Sequence, residues 1–404
     1  MNTPARPPMP LMIVTGMMCT ITLVVFARLA YGLVVPGMRD GMGISYAQAA
    51  NLGTVTALGY LALLMVAGVF AARYGGKQAI LIGLGFAATG FTGMALSESY
   101  WFSMAMMAFL GFGTAFGYTP LISLLGSWYP EKRGSVIGFA NGGVGLGLFI
   151  AGVLVPWLTT TWPESGWRLV WAVFGTAAVV VSVVVALFLK NPPGAGGSGG
   201  PQDPVPAARS GVYRNPHVIN VGLIYGIVGL TYIVQTIFMF SFAIESGVPT
   251  LTAGRLASVM GLLGLVAGPF WGWISDRIGR SNSLVLCMAF SASAMALPVL
   301  SPTLPAFAAH FLILGLCVSG LFTSVLAAST ETVHPRLAPV AVSFVTLFFA
   351  VGQLIGPAAA GVIIESAGFA RVFTITSSLM AFGILLCWYS RYSQQRMTAT
   401  AQQV

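Results

Sequence analysis

Twelve stretches of this chain are apolar for long enough to cross a lipid bilayer, and no other feature narrows its fold so far. A spanning helix needs about 20 mostly apolar residues. The runs 11–36, 47–72, 78–97, 100–126, 134–158, 168–190, 216–244, 253–275, 281–300, 304–329, 337–364 and 370–391 all qualify. Hydrocarbon offers no water to backbone N–H and C=O groups, so such runs must satisfy their own hydrogen bonds as helices. Glycine and proline interrupt many of them, which membrane helices tolerate. Only 7% of residues are charged and 57% are hydrophobic, against about 25% charged in a soluble domain. The first run opens near Leu11 and continues to about Val35, too long for a signal-peptide core. The expected class is an all-α membrane protein with 12 transmembrane helices, and its first partner is the lipid bilayer.

Basic residues set the orientation. An even number of crossings leaves both termini on one side. The loops of that side carry Arg6, Arg73, Lys77, Lys132, Arg133, Lys190, Arg209, Arg214, Arg277, Arg280, Arg336, Arg391 and Arg396. The opposite loops carry Arg39, Arg168, Arg255 and Arg371. By the positive-inside rule both termini are cytoplasmic. The net charge of +9 gathers on no single face or tail, so nucleic acid is not an expected partner. From Asn191-Pro192-Pro193-Gly194 to Ser210 the chain is rich in Pro and Gly and lacks an apolar run, the mark of a flexible linker. It divides the sequence into a first six-helix bundle (1–192), a cytoplasmic linker (193–214) and a second six-helix bundle (215–404).

The halves repeat. Gly272-Trp273-Ile274-Ser275-Asp276-Arg277-Ile278-Gly279-Arg280 lies between the eighth and ninth runs. An altered copy, Gly68-Val69-Phe70-Ala71-Ala72-Arg73-Tyr74-Gly75-Gly76, lies between the second and third. Asp276 aligns with Ala72, 204 positions earlier and about half the chain length. Gly166-Trp167-Arg168 before the sixth run matches Gly368-Phe369-Ala370-Arg371 at the twelfth. Trp128-Tyr129-Pro130-Glu131-Lys132-Arg133-Gly134 leads into the fifth run as His334-Pro335-Arg336 leads into the eleventh. The pattern Gly-x-x-x-Asp-Arg-x-Gly-Arg, once per half, resembles the signature loop of the major facilitator superfamily of membrane transporters. The resemblance covers nearly the whole chain. It implies two pseudo-symmetric bundles related by an axis along the membrane normal, with a substrate cavity that opens alternately to each side.

In that family the signature residues hold the bundles together in the outward-facing state through ion pairs and a helix end. The resemblance makes Arg73, Lys77, Asp276, Arg277 and Arg280 candidates for a cytoplasmic gate, with Gly279 allowing the tight turn. The plainer alternative is a positive-inside anchor, and it weighs most for Arg73 and Lys77, because Ala72 cannot act as an acid. An acid on the basic side needs a reason, so closure is expected to depend more on Asp276 than on the first-half loop.

The cargo is read from charge inside the membrane, which is costly and therefore a functional candidate. Arg28 lies deep in the first run. Its planar fork suits a carboxylate or phosphonate, and α-helical spacing puts Tyr31 on the same face. The alternative is that Arg28 snorkels to the outer headgroups. Tyr232, at the repeat-equivalent position, and Gln235 lie at the same depth in the seventh run, Tyr60 and Gln353 lie near the middle of the second and eleventh, and Asn141 lies in the glycine-rich start of the fifth. Each is a substrate-binding candidate, or else a partner in an interhelical hydrogen bond. The glycine series Asn141-Gly142-Gly143-Val144-Gly145-Leu146-Gly147 points to close helix packing or sliding. Phe116, Tyr118, Phe238, Phe344 and Phe348 could line an apolar cavity or simply pack. His310, near the outer end of the tenth run, is a candidate for proton coupling, with a packed neutral histidine as the alternative.

No Asp or Glu occupies the middle of any run. A buried cation without a buried anion favours anionic cargo. The segment from Arg28 to Met38, the segment Gly43 to Ala49 and the Trp128–Gly134 loop resemble a bacterial branch near the monocarboxylate and oxalate/formate carriers. Those carriers typically place an arginine within the eighth helix; here Arg255 lies at its outer edge. The expectation is a secondary active transporter of a small organic anion of the monocarboxylate kind, in a bacterial inner membrane. It would work by rocker-switch alternation with proton coupling or anion exchange, as a monomer. An efflux carrier for amphipathic drugs or aromatic metabolites is the second possibility, and a non-transporting receptor or scaffold the third. Cys19, Cys287, Cys317 and Cys387 fall singly in apolar runs, which suggests packing residues and no metal. No cofactor is expected, and no nucleophile, base and ligand cluster points to an enzyme.

Overall fold

The computed structural model describes residues 7–192, 211–333 and 337–401. Among these residues every regular element is helical. Helix α1 (Met9–Thr20) continues into a π-helical segment (Ile21–Leu29) and then α2 (Tyr31–Met42). There follow α3 (Tyr46–Tyr74), α4 (Gly76–Ala95), α5 (Tyr100–Trp128), α6 (Arg133–Thr161) and α7 (Gly166–Phe188). Beyond the linker come α8 (Pro216–Glu245), α9 (Thr250–Ile278), α10 (Arg280–Leu300), α11 (Leu304–Ala328) and α12 (Ala338–Ala401). Eleven helices among the described residues are long and apolar enough to cross a membrane. One of them, Val340–Tyr389, runs for 50 residues, far beyond the about 20 a crossing needs. Gly368, at φ 75°, breaks it, so it supplies the last two crossings.

The internal repeat is written into the backbone. Five glycines among the described residues have positive φ, and four form two pairs 204 positions apart: Gly43 with Gly247, and Gly75 with Gly279. Each ends a helix in a conformation that a Cβ disfavours. The next helix starts with its own signal where the sequence provides one. Ser45 accepts from the Gln48 N–H while the Gln48 side chain accepts from the Ser45 N–H, a reciprocal cap on α3.

By compactness the described chain forms two units. The first holds residues up to 192 together with Ile237–Leu265; the second holds 211–236 and the residues from Val266 on. The C-terminal part of α8 and most of α9 thus group with the first unit, although the sequence divides at the linker. In the first unit the turns near 75, 129–132 and 189–192 mark its linker end. The turns at 43–45, 96–99, 162–165 and 246–249 mark its far end.

The first unit's core is aromatic. Phe26 stacks on Phe174 at 4.1 Å, and Phe91 and Trp171 join them. Polar clamps tie α4 to α7 at both ends: Lys77 Nζ donates to Ala186 O at 2.7 Å, and Arg168 Nη2 donates to Ser97 O at 2.9 Å. The Trp128-Tyr129 pair anchors the unit's two chain ends, with Trp128 Nε1 donating to Lys190 O and Tyr129 Oη to Pro7 O. In the second unit Tyr225 stacks on Phe349 at 4.5 Å, with Phe322 edge-on to both. Trp271 donates to Leu316 O at 2.6 Å and fills the space left by Gly320.

Candidate functional site

Arg28 sits in the π-helical segment, where Ala30 N–H reaches back five residues to Val25 O at 2.8 Å. Single π turns in α-helices concentrate at functional sites. The cause here lies on a neighbouring helix. Thr114 Oγ1 on α5 donates to Leu23 O at 2.6 Å, inside the segment, and Gly117 leaves room for the Leu23 side chain. A foreign donor on a helix carbonyl disturbs the i→i+4 ladder. The altered winding corrects the α-helical spacing that would place Arg28 and Tyr31 on one face. Tyr31 is 1% exposed, packs against Trp171 and donates its hydroxyl to Ala49 O at 2.8 Å. Arg28 is half-buried, its guanidinium 5.0 Å from the centre of the Tyr60 ring.

Tyr60 is itself half-buried. Tyr118 Oη donates to Asn141 Oδ1 at 2.9 Å. Arg28 with Tyr60 and Tyr118 with Asn141, from the first, second, fourth and fifth crossings, are thus two half-buried polar pairs within the first unit. The glycines beside Asn141 do not bind; they bring helices close. A Cβ on Gly143 would lie 2.7 Å from Met17 O, and one on Gly147 2.8 Å from Val25. On the other face of α6, Gly145 and Gly152 meet Gly261 and Ser258 of α9.

The second unit brings together two residues that the sequence singles out separately. Gln235 and His310 are 3% and 0% exposed, and Gln235 Nε2 lies 3.3 Å from His310 Nε2. His310 Nδ1 lies 2.7 Å from Ala294 O. A carbonyl oxygen only accepts, so Nδ1 carries the proton and Nε2 accepts from the Gln235 amide. Tyr232 is half-buried, edge-on to Phe322 at 5.2 Å. Gln353 is also half-buried. Phe116 and Phe238 are buried, against Phe70 and Phe86 in one case and Tyr46 in the other. Phe344 packs on Tyr213 and Phe348.

At the signature loops, Lys77 turns inward to the last turn of α7, where a cation suits the helix C-terminus. Asn191 Oδ1 accepts from Lys77 N–H at 2.8 Å, so a linker residue caps α4. Arg73 is exposed beside Tyr74, and Arg277 lies over the Trp273 ring at 3.8 Å. The side chains of Asp276 and Arg280, together with Arg6, Arg209 and Arg336, lie outside the described residues. A charged cluster absent from the sequence-based candidates stands at the first unit's far end. Tyr46 Oη donates to Glu245 Oε1 at 2.5 Å, Arg39 Nη1 lies 3.7 Å from the same oxygen, and Arg39 also pairs with Asp40 at 3.1 Å. Arg39 covers the Tyr46 ring at 4.3 Å. Glu245 is about 200 positions from Arg39, Asp40 and Tyr46, and only folding aligns them. Tyr118 and Asn141 each have a visible signal as polar residues within apolar runs, but their pairing does not.

Residues 21–388 match the profile of a family described as "Uncharacterised MFS-type transporter YbfB". The chain belongs to this MFS-type transporter family. Among curated relatives, the transporter is 24% identical to the oxalate:formate antiporter of Oxalobacter formigenes, over 70% of this chain and 66% of that one. It is 22% identical to monocarboxylate transporter 12 of Rattus norvegicus, over 70% and 65%. The match thus spans just under two thirds of either relative's length. It is 25% identical to the multi-drug resistance efflux pump PmrA of Streptococcus pneumoniae, over 87% of this chain and 90% of the pump. Two solved structures share the fold. A bacterial homologue of the lysosomal transporter Spinster, inward-facing and unoccupied, superposes with a TM-score of 0.79 at 17% identity, covering 96% of this chain and 97% of that one. The nucleoside transporter NupG does so with 0.80 at 10%, covering 95% and 100%. The protein is a multi-pass membrane transporter of the major facilitator fold.

Proposed function

We propose that this transporter is a secondary carrier for a small organic anion of the monocarboxylate kind, moved by rocker-switch alternation. The observation that carries the reading is Arg28: a half-buried guanidinium in the first crossing, over the Tyr60 ring, in a chain with no mid-span acid. An intramembrane cation in a chain whose apolar runs carry no acid at mid-span favours anionic cargo. The antiporter and monocarboxylate relatives support the same class. The sequence division into 1–192, 193–214 and 215–404 gives the two rocking halves. The linker, both termini and the signature loops face the cytoplasm of a bacterial inner membrane, by the excess of Lys and Arg there. The carrier acts as a monomer, and its signature residues Arg73, Asp276, Arg277 and Arg280 serve the cytoplasmic gate.

Coupling is to protons or to exchange of a second anion. Proton coupling through His310 would have to displace the Gln235 amide from Nε2, the one ring nitrogen free of a proton, inside a fully buried place, which favours exchange. The second function, efflux of amphipathic compounds, is favoured by the near full-length match to PmrA. A thermal-shift screen of the purified protein against formate, oxalate, lactate, pyruvate and a set of cationic drugs separates the two, because a ligand that binds the folded state raises its apparent stability. Stabilisation by carboxylates that disappears in Arg28→Ala is expected. Stabilisation by cationic drugs alone would overturn the anion reading.

A further inference from the structure

We propose that Asn141, held by Tyr118, is a second anion station on the linker side of Arg28, one that the cargo meets in transit rather than at rest. The inference rests on the reading of Arg28 as the carboxylate anchor. Ala140 packs on Gly16, and a Cβ on Gly143 would meet Met17 O. Asn141 therefore lies abreast of the Gly16–Met17 stretch of α1, whereas Arg28 lies 11 to 12 positions further along the same crossing. At a rise of about 1.5 Å per residue the two levels are roughly 17 Å apart. The arginine leans back toward its helix N-terminus, which narrows that gap without closing it for an anion as small as lactate. Each level has its own tyrosine, Tyr60 under Arg28 and Tyr118 on Asn141.

The Tyr118–Asn141 bond gives the station its sign. The tyrosine hydroxyl donates to the amide oxygen, so the acceptor of Asn141 is occupied. Its amide nitrogen has no partner among the described residues and remains a donor. Tyr118 is thus a positioning residue, and Asn141 the group that touches cargo. A carboxylate leaving Arg28 loses a charge-assisted hydrogen bond. A donor met only along the way lowers the barrier to movement without tightening resting binding, as interactions confined to a transition state do.

The test uses full-length protein in proteoliposomes, with radiolabelled lactate and, separately, oxalate as probes. Equilibrium binding and maximal exchange rate are measured for wild type, Tyr118→Phe, Asn141→Ala, Asn141→Ser and Arg28→Ala. Tyr118→Phe and Asn141→Ala are expected to bind within about twofold of wild type but to exchange about tenfold more slowly, the size of one hydrogen bond to a charged group. Asn141→Ser, which keeps a donor, is expected to recover part of the rate. Tyr118→Phe removes one hydroxyl and keeps the ring, so folding is preserved. Wild-type exchange in both Tyr118→Phe and Asn141→Ala overturns the station, as does a loss of binding matching that of Arg28→Ala. Undiminished binding in Arg28→Ala, or no binding of either acid to wild type, overturns the anion-carrier reading and the station with it.

Discussion

Positions 28 and 232 are equivalent in the internal repeat, and the chain fills them differently. The first unit places an arginine there, half-buried over the Tyr60 ring. The second unit places Tyr232 there, edge-on to Phe322, and hides its nearby polar groups as the buried Gln235–His310 pair. The backbone repeats closely enough that Gly43 and Gly247, and Gly75 and Gly279, share positive φ. Symmetry therefore belongs to the scaffold and asymmetry to the chemistry. On the proposed reading one half offers charge to cargo, while the other pairs Gln235 with His310 inside its own core.

The largest test of that asymmetry truncates each of the two equivalent positions in turn. Arg28→Ala should weaken carboxylate binding by at least about 30-fold, since losing a desolvated charged partner costs ~2–5 kcal/mol. Tyr232→Phe in the same equilibrium assay should change binding by less than about threefold, the loss of one neutral hydrogen bond at most. Equal losses in the two variants would show that both halves grip the anion.

The next test concerns stability. His310→Ala leaves Ala294 O and the Gln235 amide without partners in a fully buried place. The cost should be ~2–4 kcal/mol, from the cavity and the orphaned groups together, and visible as a lower melting temperature in detergent. Asn141→Ala, at a half-buried site, should cost under about 1 kcal/mol. His310→Gln should retain anion counterflow; its loss, with folding intact, would return His310 to a proton-coupling role.

Much of the fold is legible in the sequence because each crossing is coded locally. A run of about 20 apolar residues suffices to specify one, and glycines at 75 and 279 mark matching turns. The candidate site is legible only in part. Arg28 stands out by charge alone. Its direction does not, because the π turn that aims it depends on Thr114 from another helix. Likewise the cap that Asn191 places on α4 joins positions 114 residues apart, and no local pattern encodes it. What sequence hides here is pairing across helices.

The two signature turns should also differ when their glycines are replaced. Gly75 and Gly279 both hold positive φ, at 99° and 85°, so alanine at either is strained by ~1–2 kcal/mol. A Cβ at Gly75 would also collide with the Asn191 side chain, which caps α4, while one at Gly279 meets open space. Gly75→Ala should therefore lower the melting temperature more than Gly279→Ala. The reverse order would mean that the Asn191 cap contributes nothing to the first unit.

The smallest effect is expected at the far end of the first unit, where Glu245 meets Arg39 and Tyr46. The Arg39 and Glu245 side chains are 31% and 47% exposed, and an ion pair that solvated is worth at most about 1 kcal/mol. Glu245→Gln removes the charge but leaves an acceptor for the Tyr46 hydroxyl. The far end should then open up to about fivefold more often, the factor that 1 kcal/mol allows. Val248, buried beside this cluster in the far-end turn, can report it as Val248→Cys with a membrane-impermeant maleimide, since the four native cysteines are buried. Glu245→Leu, which strands both partners, should label faster still. Unchanged labelling in both variants would mean that the far end is held shut by the close approach of Gly145 and Gly152 to Gly261 and Ser258, and that the charged cluster is incidental to the cycle.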